Sequence, residues 1–353
     1  MAKSGKDFPL PTPHSPQTPM GTLYITQDDA FIGKTDERLT VRANKQTLQD
    51  IPLIKLDGVV ILGRATVSPA VVMELLERKI PLSFLTSMGR YLGRLEPELT
   101  KNIFVRAAQW KAIAPSEQAS HLVRSFVRGK LKNYRHALLR GQREYADLDF
   151  QKALTQLEQA ITPLDKTSAI DSLRGLEGSG SAAYFGSFAR LLRVDEFQFE
   201  ARRRRPPTDP VNALLSLGYS LLRHDVQSAV NLVGFDPYLG YLHTQRYGRP
   251  SLALDLMEEF RPLVVDAVVL SALNKRVITP TDFTTEPLSG AVSLTLEGLR
   301  TFLRLYALKK QSKFKHPVLQ TQCTYQEAFE IQARLLAKYL LGETDKYPPL
   351  VLK

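Results

Sequence analysis

The chain has 353 residues, 43% of them hydrophobic and 24% charged, and these fractions exclude a largely disordered protein. Its net charge of +11 favours a polyanionic partner, with nucleic acid ahead of an anionic membrane surface. The single cysteine, Cys323, excludes an internal disulfide framework and a zinc site of the CxxC type.

Residues 1–20 contain five prolines and no apolar periodicity, which predicts a flexible tail. This region also lacks the apolar segment of a secretory signal peptide. The apolar run from Leu263 to Leu273 is too short to span a bilayer, and Asp266 interrupts it. We therefore expect a cytoplasmic protein with no membrane partner.

Residues 21–98 alternate short β-branched runs with turn residues, which predicts a small N-terminal antiparallel β-domain. One helix interrupts the strands. Ser68 is a favourable N-cap, Pro69 suits the first helical position, and the following VVMELLERK has helical spacing.

Residues 105–341 have apolar side chains at i, i+3 and i+4 in one segment after another, which predicts a larger all-α C-terminal domain. Residues 342–353 are expected to form a fraying tail. The predicted fold class is therefore α+β, with a small antiparallel β-domain that contains one helix and a larger all-α C-terminal domain.

One predicted helix carries a basic stripe, formed by Arg124, Arg128, Lys132 and Arg135. Such a stripe is usually a solvated helix face. With the positive net charge, a face that follows DNA phosphates is the less favoured alternative.

Residues 175–192, GLEGSGSAAYFGSFARLL, hold four glycines around Glu177. A glycine inside a helix costs roughly 1 kcal/mol relative to alanine, so close approach of another helix or of DNA is the simplest reason for them. Composition alone does not distinguish a surface position for the Glu177 carboxylate from a position within a packed site.

Residues 202–212, RRRRPPTDPVN, contain the consecutive cations Arg202, Arg203, Arg204 and Arg205. Their mutual repulsion favours a phosphate or acidic partner, although an exposed loop that binds nothing is the ordinary alternative. A long helix follows, with polar Asn212 near its start.

Residues 236–266 contain His243, a Gly-Arg-Pro turn with Arg249, and the carboxylates Asp255 and Glu258. Asp255 and Glu258 are three residues apart, so a helix places them on one face. Pro262 cannot donate to the carbonyl of Glu258, which predicts an irregular backbone there. Imidazole with carboxylates suits Mg²⁺ or Mn²⁺, but spacing alone favours helix-dipole complementation and a structural histidine.

The segment GFDPYLGYLHTQRYGRPSLALDLMEEFRP resembles the signature of the CRISPR-associated spacer-acquisition integrase family, also described as CRISPR-associated endonucleases. An EG-x-x-A-x-x-YF motif at Glu177 and an R-x-R-PP-x-DPVNALLS-x-GYSLL motif, which includes Asn212 and Tyr219, agree with it. LDGVVILGRATVSPAVVMELLERK is similar to the family's N-terminal β-domain. The resemblance covers residues from about 21 to 341.

The resemblance implies that Glu177, His243 and Glu258 bind Mg²⁺ or Mn²⁺, with Asp255 as a further ligand or as the residue that orients one. Relatives often carry Asp where this chain has Glu258. It implies joining of the 3′-hydroxyl of a spacer precursor fragment to CRISPR repeat DNA by transesterification, with His243 alternatively a general acid. The implied DNA contacts are Arg202, Arg203, Arg204, Arg205, Asn212, Tyr219 and Arg249.

The family also implies a homodimer formed through the β-domains and a small ferredoxin-like CRISPR-associated partner protein. Two other functions stay open from sequence. One is a metal-dependent nuclease of branched or single-stranded DNA without integration, because the nucleophile is not part of the protein. The other is a catalytically silent DNA-binding scaffold.

Overall fold

The computed structural model describes residues 21–86, 91–95, 102–113 and 116–352, so the predicted tail over residues 1–20 lies outside the described residues. Buried apolar side chains form two clusters. One draws its members from residues 23–82, and the other draws most of its members from residues 105–350. The predicted α+β class, with a β-sheet region followed by a mostly helical region, is confirmed.

Within residues 21–86 and 91–95, the described part of the N-terminal region, the strands form two four-stranded sheets. The first has the order β1-β5-β7-β8 and the second the order β4-β3-β2-β6. The elements are β1 (Gly21–Ile25), β2 (Ala30–Thr35), β3 (Arg38–Ala43), β4 (Gln46–Pro52), β5 (Leu56–Leu62), β6 (Ala65–Val67), α1 (Pro69–Glu77), β7 (Leu82–Leu85) and β8 (Tyr91–Leu95).

The prediction that these strands are all antiparallel is wrong. Strand β5 pairs in parallel with both β1 and β7, and β2 pairs in parallel with β6. Parallel neighbours need a long crossover connection, and α1 lies within the connection between β5 and β7. The helix predicted as an appendage is therefore part of the crossover that makes the sheet mixed.

The C-terminal region is built from helices around the larger core. They are α2 (Ile103–Lys111), α3 (Glu117–Glu144), α4 (Gln151–Ile161), α5 (Ile170–Phe188), α6 (Pro210–Val233), α7 (Ser251–Met257), a π-helical turn (Arg261–Asp266), α8 (Ala267–Asn274), α9 (Leu296–Gln311) and α10 (Tyr325–Leu340). None of the helices in the described ranges is long and apolar enough to cross a membrane.

Two expectations for this region need correction. It is not entirely helical, because two short hairpins, β9–β10 (Phe283–Thr285 with Val292–Leu294) and β11–β12 (Lys313–Lys315 with Gln322–Thr324), interrupt the helices. The predicted fraying tail is packed: Tyr347 and Leu350 are buried in the helical core. The segment has no helical or strand periodicity, but contacts between its buried side chains and the helical core hold it in place.

A buried ion pair joins the two regions. The Nζ atom of Lys310 on α9 donates to Asp225 of α6 at 2.8 Å and to Thr22 of β1 at 2.9 Å. The hydroxyl of Tyr306 donates to the second oxygen of Asp225 at 2.6 Å. These contacts hold the first sheet against the helical core.

Candidate active site

Asp255 on α7 fixes the end of the loop that carries His243. Its Oδ2 atom accepts the backbone N–H groups of Tyr241 at 2.5 Å and Leu242 at 3.0 Å, and its Oδ1 atom accepts that of His243 at 2.8 Å. The same Oδ1 lies 2.7 Å from Nδ1 of the His243 ring. Asp255 is fully buried. Because it bonds both the backbone N–H and the ring Nδ1 of His243, it fixes the orientation of the ring and leaves Nε2 free of this contact.

Glu258 is the buried carboxylate that Nε2 of His243 approaches, at 3.7 Å from Oε1. The Nε atom of Arg261 lies 3.0 Å from Oε1, and Nζ of Lys130 lies 2.7 Å from Oε2. Burial alone would raise the pKa of Glu258, but Arg261, Lys130 and His243 outweigh it and lower the pKa to about 2. The carboxylate is therefore ionised at neutral pH.

Glu177 enters the same site from α5. Its Oε1 atom accepts a hydrogen bond from Ser181 at 2.9 Å and forms an ion pair with Lys130. The helix comes close to α3 because Gly180 faces Leu131, where a Cβ atom would lie only 2.4 Å from a side-chain carbon. The predicted close helix approach is thus confirmed at Gly180.

The backbone beside Glu258 is irregular, as Pro262 predicted. Helix α7 ends at Met257, and the chain resumes as the π-helical turn at Arg261. Proline lacks the N–H that a regular helix would donate to Glu258, and such breaks are common at functional sites. The break lets Glu258 and Arg261 face each other across one turn.

A second buried carboxylate, Asp266, lies at the end of the same turn. The hydroxyl of Tyr219 donates to it at 2.5 Å, and the guanidinium of Arg261 lies over the Tyr219 ring at 4.5 Å. Burial raises the pKa of Asp266 to about 6, although Tyr219 and Arg261 oppose the rise. Tyr219 therefore links Asp266 to the Arg261 side chain that contacts Glu258.

Two of the residues predicted to contact DNA make hydrogen bonds within the chain. Asn212 is fully buried and donates to Ala201 at 2.8 Å and to Asp209 at 2.6 Å. Arg202 is half-buried and donates to Asn212 at 2.7 Å and to Ser216 at 3.0 Å. These hydrogen bonds tie the loop to the start of α6. Full burial keeps the side chain of Asn212 away from DNA, whereas a DNA contact by half-buried Arg202 stays a prediction.

The remaining predicted cations differ in their exposure. Arg203, Arg204 and Arg205 are exposed, whereas Arg249 is half-buried in the loop between His243 and α7. Burial lowers the pKa of Arg249, and the guanidinium groups of Arg246, Arg174 and Arg204 lower it further. Arg174 lies three residues before Glu177, so this group of arginines forms a basic rim beside the site.

The basic stripe on α3 lies on a different face from Lys130. Arg128 pairs with Asp165 at 2.6 Å, and Arg135 lies 3.6 Å from Glu158. Arg135, Glu158 and Lys132 border a groove of about 810 Å³. The stripe is therefore a solvated and partly ion-paired face, and phosphate binding there stays a prediction.

Sequence reasoning missed Lys130 and Arg261. Lys130 is buried, and it falls between Val127 and Leu131 on the apolar face of α3, which is the signal that distinguishes it from the exposed lysines. Arg261 is half-buried and lies between Phe260 and Pro262, where nothing in the local pattern predicts its contact with Glu258.

The residues present fit a divalent metal ion in their chemistry. The Lys130 ammonium already places a cation between the carboxylates of Glu177 and Glu258. Imidazole and carboxylate are ligand types that suit Mg²⁺ or Mn²⁺, and Nε2 of His243 lies 3.7 Å from Oε1 of Glu258. In the described ranges, no three His, Cys, Asp or Glu side chains are already close enough to hold a metal ion together.

A protein family described as CRISPR associated protein Cas1 matches residues 23–307. The chain is 39% identical over 336 residues to the CRISPR-associated endonuclease Cas1 3 of Thermus thermophilus, covering 95% of this chain and 98% of that protein. It is 38% identical over 340 residues to the CRISPR-associated endonuclease Cas1 2 of Rhodospirillum rubrum, covering 94% and 98%. The chain belongs to the CRISPR-associated Cas1 family.

Solved structures agree with this fold. A casposase bound to its integration product superposes with a TM-score of 0.81 at 22% identity, over 95% of both chains. A Cas6-RT-Cas1–Cas2 complex superposes with a TM-score of 0.76 at 26% identity, and the match spans 96% of this chain but 37% of that longer chain. The casposase likeness supports the fold alone.

Proposed function

We propose that the chain is a divalent-metal-dependent DNA endonuclease and integrase of CRISPR adaptation, which joins the 3′-hydroxyl of short DNA fragments to CRISPR repeat DNA. The observation that carries the proposal is the meeting of Glu177, Glu258 and Lys130, with His243 beside Glu258. Membership of the Cas1 family and the endonuclease names of its relatives support the reaction class.

The proposed reaction is a transesterification, which needs no protein nucleophile, and the residues of the site have separate roles in it. Glu177, Glu258 and Nε2 of His243 are the donors that would hold Mg²⁺ or Mn²⁺. When bound, such an ion neutralises charge on the phosphoryl oxygen and favours ionisation of the attacking hydroxyl. The fragment 3′-oxygen bonds to phosphorus as the repeat-strand 3′-oxygen leaves and takes up a proton from solvent. Because Asp255 holds Nδ1 of His243, the ring would supply that proton only in the alternative in which its Nε2 atom does not hold the ion.

The positive charges around the site serve DNA binding in this proposal. Arg203, Arg204 and Arg205 are exposed, and four arginines including Arg249 form the basic rim. Adjacent cations without a donor–acceptor pattern bind phosphates and not particular bases.

Replacing Arg203, Arg204 and Arg205 together with alanine should weaken binding to every DNA sequence alike. The slope of log K against log salt should become shallower by about 2 to 3, since each lost phosphate contact removes about 0.9. Fluorescence anisotropy at several salt concentrations measures this slope. A matched triple change at exposed Arg38, Arg42 and Lys45 removes the same charge and should change the slope less. A loss of base preference with an unchanged slope would contradict the assignment.

We propose that the chain forms a homodimer through the β-domain and binds a small ferredoxin-like partner protein. Exposed apolar side chains in the β-domain, among them Ile54, Met73 and Leu92, support an interface there. The similarity to a Cas6-RT-Cas1–Cas2 complex supports a partner protein. Light scattering at micromolar concentration should give about twice 39.7 kDa, and the mass of a single chain would overturn the dimer.

The reaction is tested with a labelled DNA fragment, a supercoiled plasmid carrying the repeat array, the small partner protein, and Mg²⁺ or Mn²⁺. The label should become covalently attached to the plasmid, and a chelator should prevent this. A fragment ending in a 3′-dideoxynucleotide has no attacking hydroxyl and should not be joined.

The same assay separates the second candidate function. A plasmid that is nicked with either fragment but never labelled would identify a metal-dependent nuclease without integration. A plasmid neither nicked nor labelled would contradict both and leave a DNA-binding scaffold.

A further inference from the structure

Glu259, the neighbour of Glu258, is fully buried and contacts a different part of the chain. Its carboxylate accepts hydrogen bonds from the Tyr347 hydroxyl at 2.5 Å, the Leu350 backbone N–H at 2.6 Å and the Gln332 side-chain amide at 2.8 Å. Two of these donors belong to residues 343–352, here called the C-terminal segment. The segment thus ends against the residue that follows a proposed metal ligand.

Asn133 on α3 makes a second connection. Its amide nitrogen donates to the backbone carbonyls of Glu259 at 2.9 Å and Leu350 at 2.8 Å, and its oxygen accepts the N–H of Leu352 at 3.2 Å. Asn133 lies three residues after Lys130, on the same side of α3. One amide therefore joins α3, the C-terminal segment and the backbone next to Glu258.

The packing at this junction leaves no spare volume. A Cβ atom at Gly129 would lie 2.9 Å from Cγ of Glu259 and 3.0 Å from Cβ of Pro349. The segment, Glu259 and α3 are therefore in direct contact, and displacement of one would require movement of the others.

The backbone of residues 258–260 has an additional hydrogen-bond partner outside its own helix. These residues lie between the end of α7 at Met257 and the π-helical turn that begins at Arg261. Regular helical hydrogen bonds are interrupted there, and the carbonyl of Glu259 accepts from Asn133. The N–H groups of Glu258 and Phe260 make only short i→i−3 hydrogen bonds, to Asp255 at 3.3 Å and Met257 at 3.0 Å. Asn133 therefore adds a partner from outside the helix where regular helical hydrogen bonds are missing.

We propose that the C-terminal segment is a positioning element of the candidate active site. By holding the carboxylate of Glu259, it fixes the backbone from which Glu258 reaches Lys130, Arg261 and the Nε2 atom of His243. The catalytic consequence rests on the proposed function, whereas the positioning itself is a property of the chain. Tyr347 is a positioning residue, because it acts on Glu258 only through Glu259.

The test is Tyr347→Phe in the full-length chain, which removes one hydroxyl donor and keeps the aromatic ring. Loss of a hydrogen bond made directly to a metal ligand lowers metal affinity or activity by about ten- to a hundredfold, and Tyr347 acts one residue further away, so we take the lower end of that range. We expect the Kd for Mn²⁺, measured by electron paramagnetic resonance of free Mn²⁺, to rise about tenfold, and the turnover of strand joining to fall about tenfold. DNA affinity should not change. Amide hydrogen exchange should accelerate in residues 255–262.

Tyr306→Phe is the matched control. Tyr306 is also fully buried, and its hydroxyl also donates to a carboxylate, that of Asp225, at the contact with the β-domain. A purely structural loss would be similar in both variants. Tyr306→Phe should therefore leave Mn²⁺ affinity, turnover and exchange in residues 255–262 unchanged.

Equal exchange in residues 255–262 and equal Mn²⁺ affinity in the two variants would overturn the proposal. Gln332→Met removes another hydrogen-bond donor to the Glu259 carboxylate, this one from α10, and should change Mn²⁺ affinity and amide exchange in the same direction but less. If Tyr347→Phe does not fold, this variant tests the proposal in its place. If the wild-type chain neither binds Mn²⁺ nor acts on DNA, the proposed function fails, and the exchange comparison still decides whether the segment positions this backbone.

Discussion

Glu177→Gln should lower metal-dependent cutting and joining of DNA by at least about a hundredfold, because supporting contacts alone account for ten- to a hundredfold. Glutamine keeps the volume of the side chain and can still accept the hydrogen bond from Ser181. It loses the negative charge that faces Lys130 and would face a metal ion. DNA affinity should stay the same or increase, since one repulsive charge next to phosphate is removed.

The control for this variant lies on the same helix. Asp171 on α5 has a highly exposed carboxylate that pairs with Arg174, so Asp171→Asn removes a charge of the same sign outside the site. Single-turnover cutting and joining with the labelled fragment measures both variants. Wild-type rates in Glu177→Gln, or an equal loss in Asp171→Asn, would show that Glu177 is not part of the reaction site.

Lys130→Met should destabilise the metal-free chain by on the order of 3 kcal/mol. The ammonium is buried between the carboxylates of Glu177 and Glu258, and its removal leaves these two negative charges facing each other without the cation that pairs with both. The pKa of Glu258 should rise from about 2 as a result. If the ammonium occupies the place of a divalent cation, Mn²⁺ should restore much of the lost stability.

Urea unfolding with and without Mn²⁺ measures this effect, because a ligand that binds only the folded chain adds to its free energy of unfolding. The stabilisation by Mn²⁺ should be larger in Lys130→Met than in the wild-type chain. Lys132→Met makes the same change at an exposed position two residues later and should behave like the wild type. A loss in Lys130→Met that Mn²⁺ does not reduce would place the ion elsewhere.

The part of the site within residues 236–266 could be predicted from sequence because it depends on local features. Asp255 and Glu258 are three residues apart, and Pro262 removes a helical hydrogen bond. The structure accordingly shows a break between α7 and the π-helical turn. His243 lies beside Glu258 because the carboxylate of Asp255 accepts hydrogen bonds from the backbone N–H groups of the loop that carries His243. Glu177 lies 66 residues before His243, and family resemblance alone assigned it to the site.

What sequence reasoning missed depends on contacts between distant segments. Lys130 has the same charge as its exposed neighbours on α3, and only its position on the apolar face distinguishes it. Asn212 resembled a residue available to DNA, but its hydrogen bonds within the loop become evident only after folding. The C-terminal segment has no periodicity, and its order comes from Glu259, which lies 88 residues before Tyr347.

We propose that Glu177, His243 and Glu258 bind one divalent ion. Pulsed electron paramagnetic resonance of the Mn²⁺-bound chain tests this directly. Electron spin echo envelope modulation detects a nitrogen that coordinates Mn²⁺. We expect modulation from one imidazole nitrogen in the wild-type chain and its loss in His243→Gln. His121→Gln changes a half-buried histidine on α3 and should retain the modulation. Absence of nitrogen modulation in the Mn²⁺-bound wild type, or its persistence in His243→Gln, would contradict the account.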